Sequence, residues 1–145
     1  LDAFLREVIK RSQDRVVFHG EADIVVLPGM DGQMGILPKH APVLTALNYG
    51  IITVRLKGNE EHFTVAGGVA EVLPDKITVL ADAAENVEEI DIERAVKAKE
   101  SAEERLKLIT TSDADRYLRV SSALKRSNLR LQAVQKFRRN TKTRI

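Results

Sequence analysis

From Arg15 to Leu80 the chain alternates short aliphatic and β-branched runs with turn formers. Val16-Val17-Phe18 is followed by His19-Gly20, and Ala22-Asp23-Ile24-Val25-Val26-Leu27 ends at Pro28-Gly29. Gly50-Ile51-Ile52-Thr53-Val54-Arg55-Leu56 stops at Lys57-Gly58-Asn59-Glu60, the signature of a hairpin loop. His62-Phe63-Thr64-Val65-Ala66 runs to Gly67-Gly68, and two further runs, Val69–Leu73 and Lys76–Leu80, flank the turn former Pro74-Asp75. Short strands with such regular punctuation predict an all-β sandwich or barrel, expected to cover residues 1–84.

Beyond Ala84 the period changes. Ile92, Ala95, Val96, Ala102, Leu106 and Ile109 recur at helical spacing and predict one amphipathic stripe. Thr110-Thr111-Ser112-Asp113 interrupts it, with Ser112 or Asp113 able to cap a second helix. Tyr117, Val120, Leu124, Leu131 and Val134 predict that helix's apolar stripe. Two helices joined by so short a break form an antiparallel hairpin, expected over residues 85–145. The predicted fold is therefore a mixed, two-domain one: an N-terminal all-β sandwich and a C-terminal antiparallel α-helical hairpin.

Composition sharpens this division. All 8 Gly and all 4 Pro precede residue 75. The net charge of +2 hides −3 over residues 1–84, −5 over 85–115 and +10 over 116–145. No stretch approaches the roughly 20 apolar residues of a membrane span, and none has the charged-then-apolar pattern of a secretory leader. Cys is absent, which excludes disulfides and thiolate metal sites; a reducing compartment is the expectation.

Candidate chemistry is sparse. Gly29-Met30-Asp31-Gly32-Gln33-Met34-Gly35 is glycine-rich, but the strand-like Ile36-Leu37-Pro38 follows it where a phosphate loop needs a helix, so it reads as a turn. His19, His40 and His62 lack helical pairing and Cys partners, so no metal site is expected. No nucleophile, base and oxyanion set is recognisable, and no enzyme activity is expected. The strongest signal is the basic C-terminal stretch: Arg116, Arg119, Lys125, Arg126, Arg130, Lys136, Arg138, Arg139, Lys142 and Arg144, without one acid among them. Such a run calls for an anionic partner: nucleic acid, an acidic protein surface or the acidic first helix. Only Tyr117 and Phe137 interleave it, which disfavours nucleic acid. Asp91 could cap the first helix, Arg94 lies one turn in, and Arg126 and Arg130 share a face of the second helix. Converging guanidiniums would suit a polyphosphate; ordinary surface charge is the competing reading.

Several stretches together resemble the epsilon subunit of the rotary F-type ATP synthase: Asp14–Phe18, Gly35-Ile36-Leu37-Pro38-Lys39-His40-Ala41-Pro42-Val43-Leu44-Thr45, Gly67–Val72 and Ile77–Glu85. The resemblance implies a β-sandwich and a helical hairpin in the central stalk of a proton-translocating complex. It implies binding to the gamma subunit and the c-subunit ring, with Gln33, Met34 and His40 as contacts. It also implies restraint of ATP hydrolysis. Ile90-Asp91-Ile92-Glu93-Arg94-Ala95 resembles the motif with which some bacterial members bind ATP. Glu85, Ile90, Asp91, Arg94, Ala95, Arg126 and Arg130 are then the candidate nucleotide residues, and ATP a regulatory ligand, with no cofactor required. Asp91 is left between two roles, helix cap and acceptor from the adenine amino group. Ser101 stands where nucleotide-binding members often carry Arg, and Gln33 where the family often has Glu.

The inhibitory surface expected from the resemblance is the basic helix, through Arg116, Arg119, Lys125 and Arg138, against an acidic helix-loop of the beta subunit. Residues 91–137 drawn out as one helix would span about 70 Å at ~1.5 Å per residue. A folded, permissive hairpin and an extended, inhibitory one are the two states expected. The expected location is the cytoplasmic face of a bacterial membrane, peripheral and through the complex only, with an organellar membrane disfavoured. The competing class is a free-standing module binding nucleic acid or acidic protein.

Overall fold

A computed structural model describes residues 5–11, 15–110 and 112–138. Arg139, Lys142 and Arg144 of the basic stretch, and Asp14 of the family-like segment, lie outside the described residues. Two compact units divide after Val87.

The first unit is built of β1 (Leu5–Arg11), β2 (Arg15–Ala22), β3 (Ile24–Gly29), β4 (Gly32–Ile36), β5 (Val43–Leu56), β6 (Asn59–Val72), β7 (Lys76–Ala81) and β8 (Ala84–Asn86). They form one continuous sheet in the order β2-β1-β7-β6-β5-β3-β4, with β8 added to β6. β2 touches β5, four places away in that order, so the sheet folds over and closes on itself as a sandwich. Phe63, Ile9, Leu27, Ile36, Ile52 and Ile77 are wholly buried between its halves. The Phe18 and Phe63 rings meet at 5.2 Å between centroids, tilted by 56°. β7 shows the sorting rule plainly: Ile77, Val79 and Ala81 point inward while Lys76 and Leu80 face out.

Three local features differ from the sequence reading, and the charged opening strand adds a fourth that lay outside it. β5 begins at Val43, seven residues before the predicted run, because its first half pairs with β6 despite a mixed pattern. Gly67-Gly68 does not end a strand. Both have positive φ, +83° and +131°, and bend β6 in mid-course. Leu5–Arg11, despite its charges, is an interior strand, antiparallel to β2 and parallel to β7, with a register shift between Ile9 and Lys10. Finally, Ala84–Asn86 pairs with Phe63–Val65, so the β unit runs to Val87, three residues past the expected boundary at 84. The expected hairpin loop is present but tighter than Lys57-Gly58-Asn59-Glu60: Lys57 and Gly58 alone turn the chain, with φ of 50° and 82°, while Asn59 and Glu60 already pair with Leu56 and Arg55.

The second unit holds α1 (Ile92–Leu108) and α2 (Ala114–Ala133), continued by a π-helical turn over Val134–Arg138. Asp91 and Asp113 cap the two helices: their side chains accept from Arg94 N–H at 3.0 Å and Arg116 N–H at 3.2 Å. Asp113, rather than Ser112, is thus the second cap. The seam is made of small residues. Ala95, Ala102, Val120, Ser127 and Ala133 are buried, and the Ser127 hydroxyl is satisfied by the Ala123 carbonyl at 3.0 Å. Of the larger predicted stripe residues, Tyr117 is 52% and Ile92 45% exposed, whereas Leu124, Leu131 and Val134 are half-buried. The helices turn their narrow faces inward, which lets the backbones come close at the expense of apolar area.

Candidate functional site

The nucleotide-like motif sits at the start of α1, and most of its fixed positions have work in the fold itself. Ile90 is buried, Asp91 caps the helix through one carboxylate oxygen, and Ala95 fills the seam. Arg94 is exposed, one turn in. Sequence reasoning left Asp91 between cap and ligand contact; the geometry gives it the capping bond. Glu85 is half-buried in β8, on the β unit.

Ala95 and Ala102 are seven residues apart, as are Val120 and Ser127. In an antiparallel pair this sets Ala102 level with Val120 and Ala95 level with Ser127. Arg94 then lies within about one turn, ~5.4 Å of rise, of the levels of Arg126 and Arg130, both half-buried on α2. The three arginines thus stand at similar levels toward the open end of the hairpin.

Of the residues assigned to the basic inhibitory surface, Arg116, Arg119 and Lys125 are exposed. Arg138 does something else: its Nη2 donates to the Ile90 carbonyl at 2.8 Å, tying the end of α2's extension to the residue that precedes the α1 cap. The acidic Glu93, Glu100, Glu103 and Glu104 of α1 are all exposed, so small-residue packing rather than charge makes the seam.

Sequence reasoning missed a cleft of about 500 Å³ in the same groove toward the interhelical turn, walled by Ser101, Arg105, Arg116 and Arg119 over a floor including Ala102 and Val120. The i, i+4 pair Ser101/Arg105 and the i, i+3 pair Arg116/Arg119 could have revealed it, had α1 and α2 been aligned by their alanines.

On the β unit, Met30 and Asp31 form the exposed tip between β3 and β4, with Gln33 exposed beside them. Met34 is half-buried against the core, leaving Met30, 59% exposed, as the apolar group at the tip. His40 is half-buried, with its Nδ1 2.7 Å from the Ala41 carbonyl. A second surface was not read from the sequence. Ala46, Val69 and Leu80 lie directly opposite one another across β5, β6 and β7, all exposed, and Leu44 stands on the same face two residues along. Among the described residues no cluster of three or more His, Asp or Glu converges as a metal site would need.

A closed β-sandwich followed by a capped antiparallel helical hairpin defines a two-domain class of protein. The profile of the ATP synthase delta/epsilon chain β-sandwich domain matches residues 8–87, and that of the delta/epsilon chain long alpha-helix domain matches residues 88–135. The ATP synthase epsilon chain of Dehalococcoides mccartyi is 42% identical over 133 residues, covering 88% of this chain and 90% of the relative. That of Ruminiclostridium cellulolyticum is 41% identical over 136 residues, covering 93% and 98%. A chain in the cryo-EM structure of Euglena gracilis mitochondrial ATP synthase shares the fold with TM-score 0.75 at 24% identity, over 91% of this chain and 82% of that one. This chain belongs to the epsilon-chain family of the F-type ATP synthase, of bacterial type. No helix among the described residues is long and apolar enough to cross a membrane.

Proposed function

We propose that this chain works in the central stalk as a non-catalytic subunit that links the catalytic head to the c ring, and that its hairpin restrains ATP hydrolysis. The β unit is the assembly half, meeting the gamma subunit and the c ring; the Met30–Gln33 tip and His40 suit the ring. The hairpin is the regulatory half, whose exposed Arg116, Arg119 and Lys125 meet an acidic helix-loop of the beta subunit when the helices extend. Nucleic acid is not a partner in this reading. The chain is peripheral, held at the cytoplasmic face of a bacterial membrane through the complex alone.

The observation that carries this reading is the thin seam of the hairpin. Burial is worth about 25 cal/mol per Å², and a seam of Ala, Ser and Val removes little area from water. Meanwhile Leu108, Tyr117 and Leu118, around the turn, stay largely exposed, Leu108 at 82%. A hairpin with little to lose on opening, and apolar groups ready for another surface, suits an element with two states.

ATP is the ligand proposed to favour the closed state, held by Arg94, Arg126 and Arg130, with Asp91, Ile90 and Ala95 building the helix start. A ligand shifts such a balance only by its preference for one state. Calorimetry of ATP on the isolated full chain tests the site. Each of Arg94→Ala and Arg126→Ala removes a charge-assisted bond of about 1.5–3 kcal/mol, so affinity should fall roughly ten- to a hundredfold. Ser101→Arg should tighten binding. Arg94 is the discriminating position, because Ile90 and Ala95 are buried and the Asp91 carboxylate is engaged as the cap, whereas the Arg94 side chain is exposed. If ATP binds equally to wild type and Arg94→Ala, the motif serves helix capping and packing only.

The exposed row on the sandwich offers a contact for gamma. Charges at Val69 and Leu80 would remain in water in the free subunit but would be desolvated in a docked one. The double variant Val69→Asp, Leu80→Asp should therefore melt close to wild type yet fail to co-elute with gamma on gel filtration. Undiminished co-elution would place the gamma contact elsewhere.

A further inference from the structure

We propose that the cleft at the turn end of the hairpin is a second anion site, taking a condensed phosphate of two or more units. It does not depend on the nucleotide site above. Arg94 and Arg105 are eleven residues apart on one face of α1, about 16 Å along the axis at ~1.5 Å per residue.

Arg105 from α1 and Arg116 and Arg119 from α2 line it together with Ser101. No carboxylate is among the cleft-lining residues. Glu100, Glu103 and Glu104 project from other faces of α1, since each successive residue turns about 100° around the helix. The acids positioned to compete are Asp113, whose carboxylate accepts from Arg116 N–H, and Asp115, four residues before Arg119 on α2. Like charges brought to one concavity repel, and an anion between them removes that repulsion.

The chemistry of the lining narrows the anion. Arg holds phosphate oxygens in a bidentate fork, which suits it to a dense, polyvalent anion. Helix axes packed through small residues stand roughly 8 Å apart, at the low end of the usual range. A ligand reaching arginines on both helices needs anionic oxygens spread over a similar distance. One phosphate is too small for this, whereas two or three condensed units span it. The floor of Ala98, Ala102, Val120 and Ala123 offers no further polar side chain, so recognition rests on the phosphates. A free polyphosphate and the phosphate tail of a nucleotide share this chemistry.

The test is calorimetry on the full chain with inorganic tripolyphosphate, ATP and a hexaglutamate peptide as separate titrants. The three arginines are exposed and partly screened, so each contributes at the lower end of its range. Arg105→Ala and Arg119→Ala should each weaken tripolyphosphate binding by about tenfold. Lys107→Ala, on the opposite face of α1, should change it by less than about twofold. If ATP responds to Arg105→Ala as tripolyphosphate does, the phosphates at this cleft are nucleotide-borne; if only tripolyphosphate responds, they are free. Equal weakening by Lys107→Ala would mean diffuse attraction and overturn the site. So would binding that fails only in Arg94→Ala and Arg126→Ala, hexaglutamate competing as well as tripolyphosphate, or no detectable heat. Loss of ATP binding in Arg94→Ala with the cleft variants unaffected would instead uphold the nucleotide site alone.

Discussion

Gly68→Ala is expected to cost the β unit about 3–5 kcal/mol, summing the strain of a non-glycine at an unfavourable φ with the overpacking of a tight site. Gly68 has φ of +131°, and a Cβ there would meet the Leu80 carbonyl oxygen and lie 2.7 Å from Ala81 Cα. Both neighbours are backbone of β7, the strand directly paired with Gly68, so neither can rotate away as a side chain would. Relief requires parting β6 from β7, and Val72, Ile77 and Val79 are buried along that pairing. Against a total stability of about 5–15 kcal/mol for a domain, the loss is a large share. For a unit of this size it corresponds to a fall in Tm of roughly 15–30 °C. Gly35→Ala is the control: its Cβ would find only the Ile24 side chain, at 3.8 Å. Thermal melting by circular dichroism reads both. A Gly68→Ala protein melting within a few degrees of wild type would mean that the bend in β6 is not set by this close approach.

The same glycine shows where sequence reading stops. Two adjacent glycines between β-branched runs look like a turn, and locally nothing distinguishes a turn from a bend inside one long strand. The difference is made by partners far along the chain: Val43–Leu47 pairs with Gly68–Val72, and β7 and β8 share the other edge of β6. By contrast the Lys57-Gly58 turn, the caps at Asp91 and Asp113 and the alternation in β7 are local, and they were legible. The hairpin was legible as two helices and in much of its facing: Ala95, Ala102 and Val120 of the expected stripes are buried in the seam, whereas Ile92, Val96 and Tyr117 are exposed and the buried Ser127 and Ala133 were not read. Small residues carry little weight in a hydrophobic pattern, yet they decide how near two backbones come. The cleft at Arg105, Arg116 and Arg119 was hidden because the two stripes were not aligned with one another, although both Ala102 and Val120 of its floor were in them. The motif at Ile90–Ala95 was visible, but its buried Ile90, capping Asp91 and seam Ala95 have structural duties that spacing cannot separate from ligand binding.

Removing residues 88–145 should leave assembly intact and raise ATP hydrolysis by the complex severalfold. The cut falls between the two units, and the core of Ile9, Leu27, Ile36, Ile52, Phe63 and Ile77 lies wholly in the first. The truncated protein should melt cooperatively and still bind gamma. What it loses is the cationic surface, and smaller changes should separate the contributions within it. Arg116→Ala, Arg119→Ala and Lys125→Ala together take three exposed charges from α2 without touching its buried residues, so inhibition should weaken. Wild-type inhibition should also fade with salt, as the screening length falls from about 10 Å at 0.1 M to about 3 Å at 1 M. Arg138→Ala should act in the opposite direction. Its guanidinium holds the Ile90 carbonyl in the closed hairpin, so its loss favours opening and should deepen inhibition. Hydrolysis assays on the reconstituted complex distinguish these cases. Inhibition indifferent to salt and to the triple substitution, yet abolished by the deletion, would mean that the helices obstruct rotation by bulk, with charge playing no part. Loss of gamma binding on deletion would overturn the division of labour between the two units.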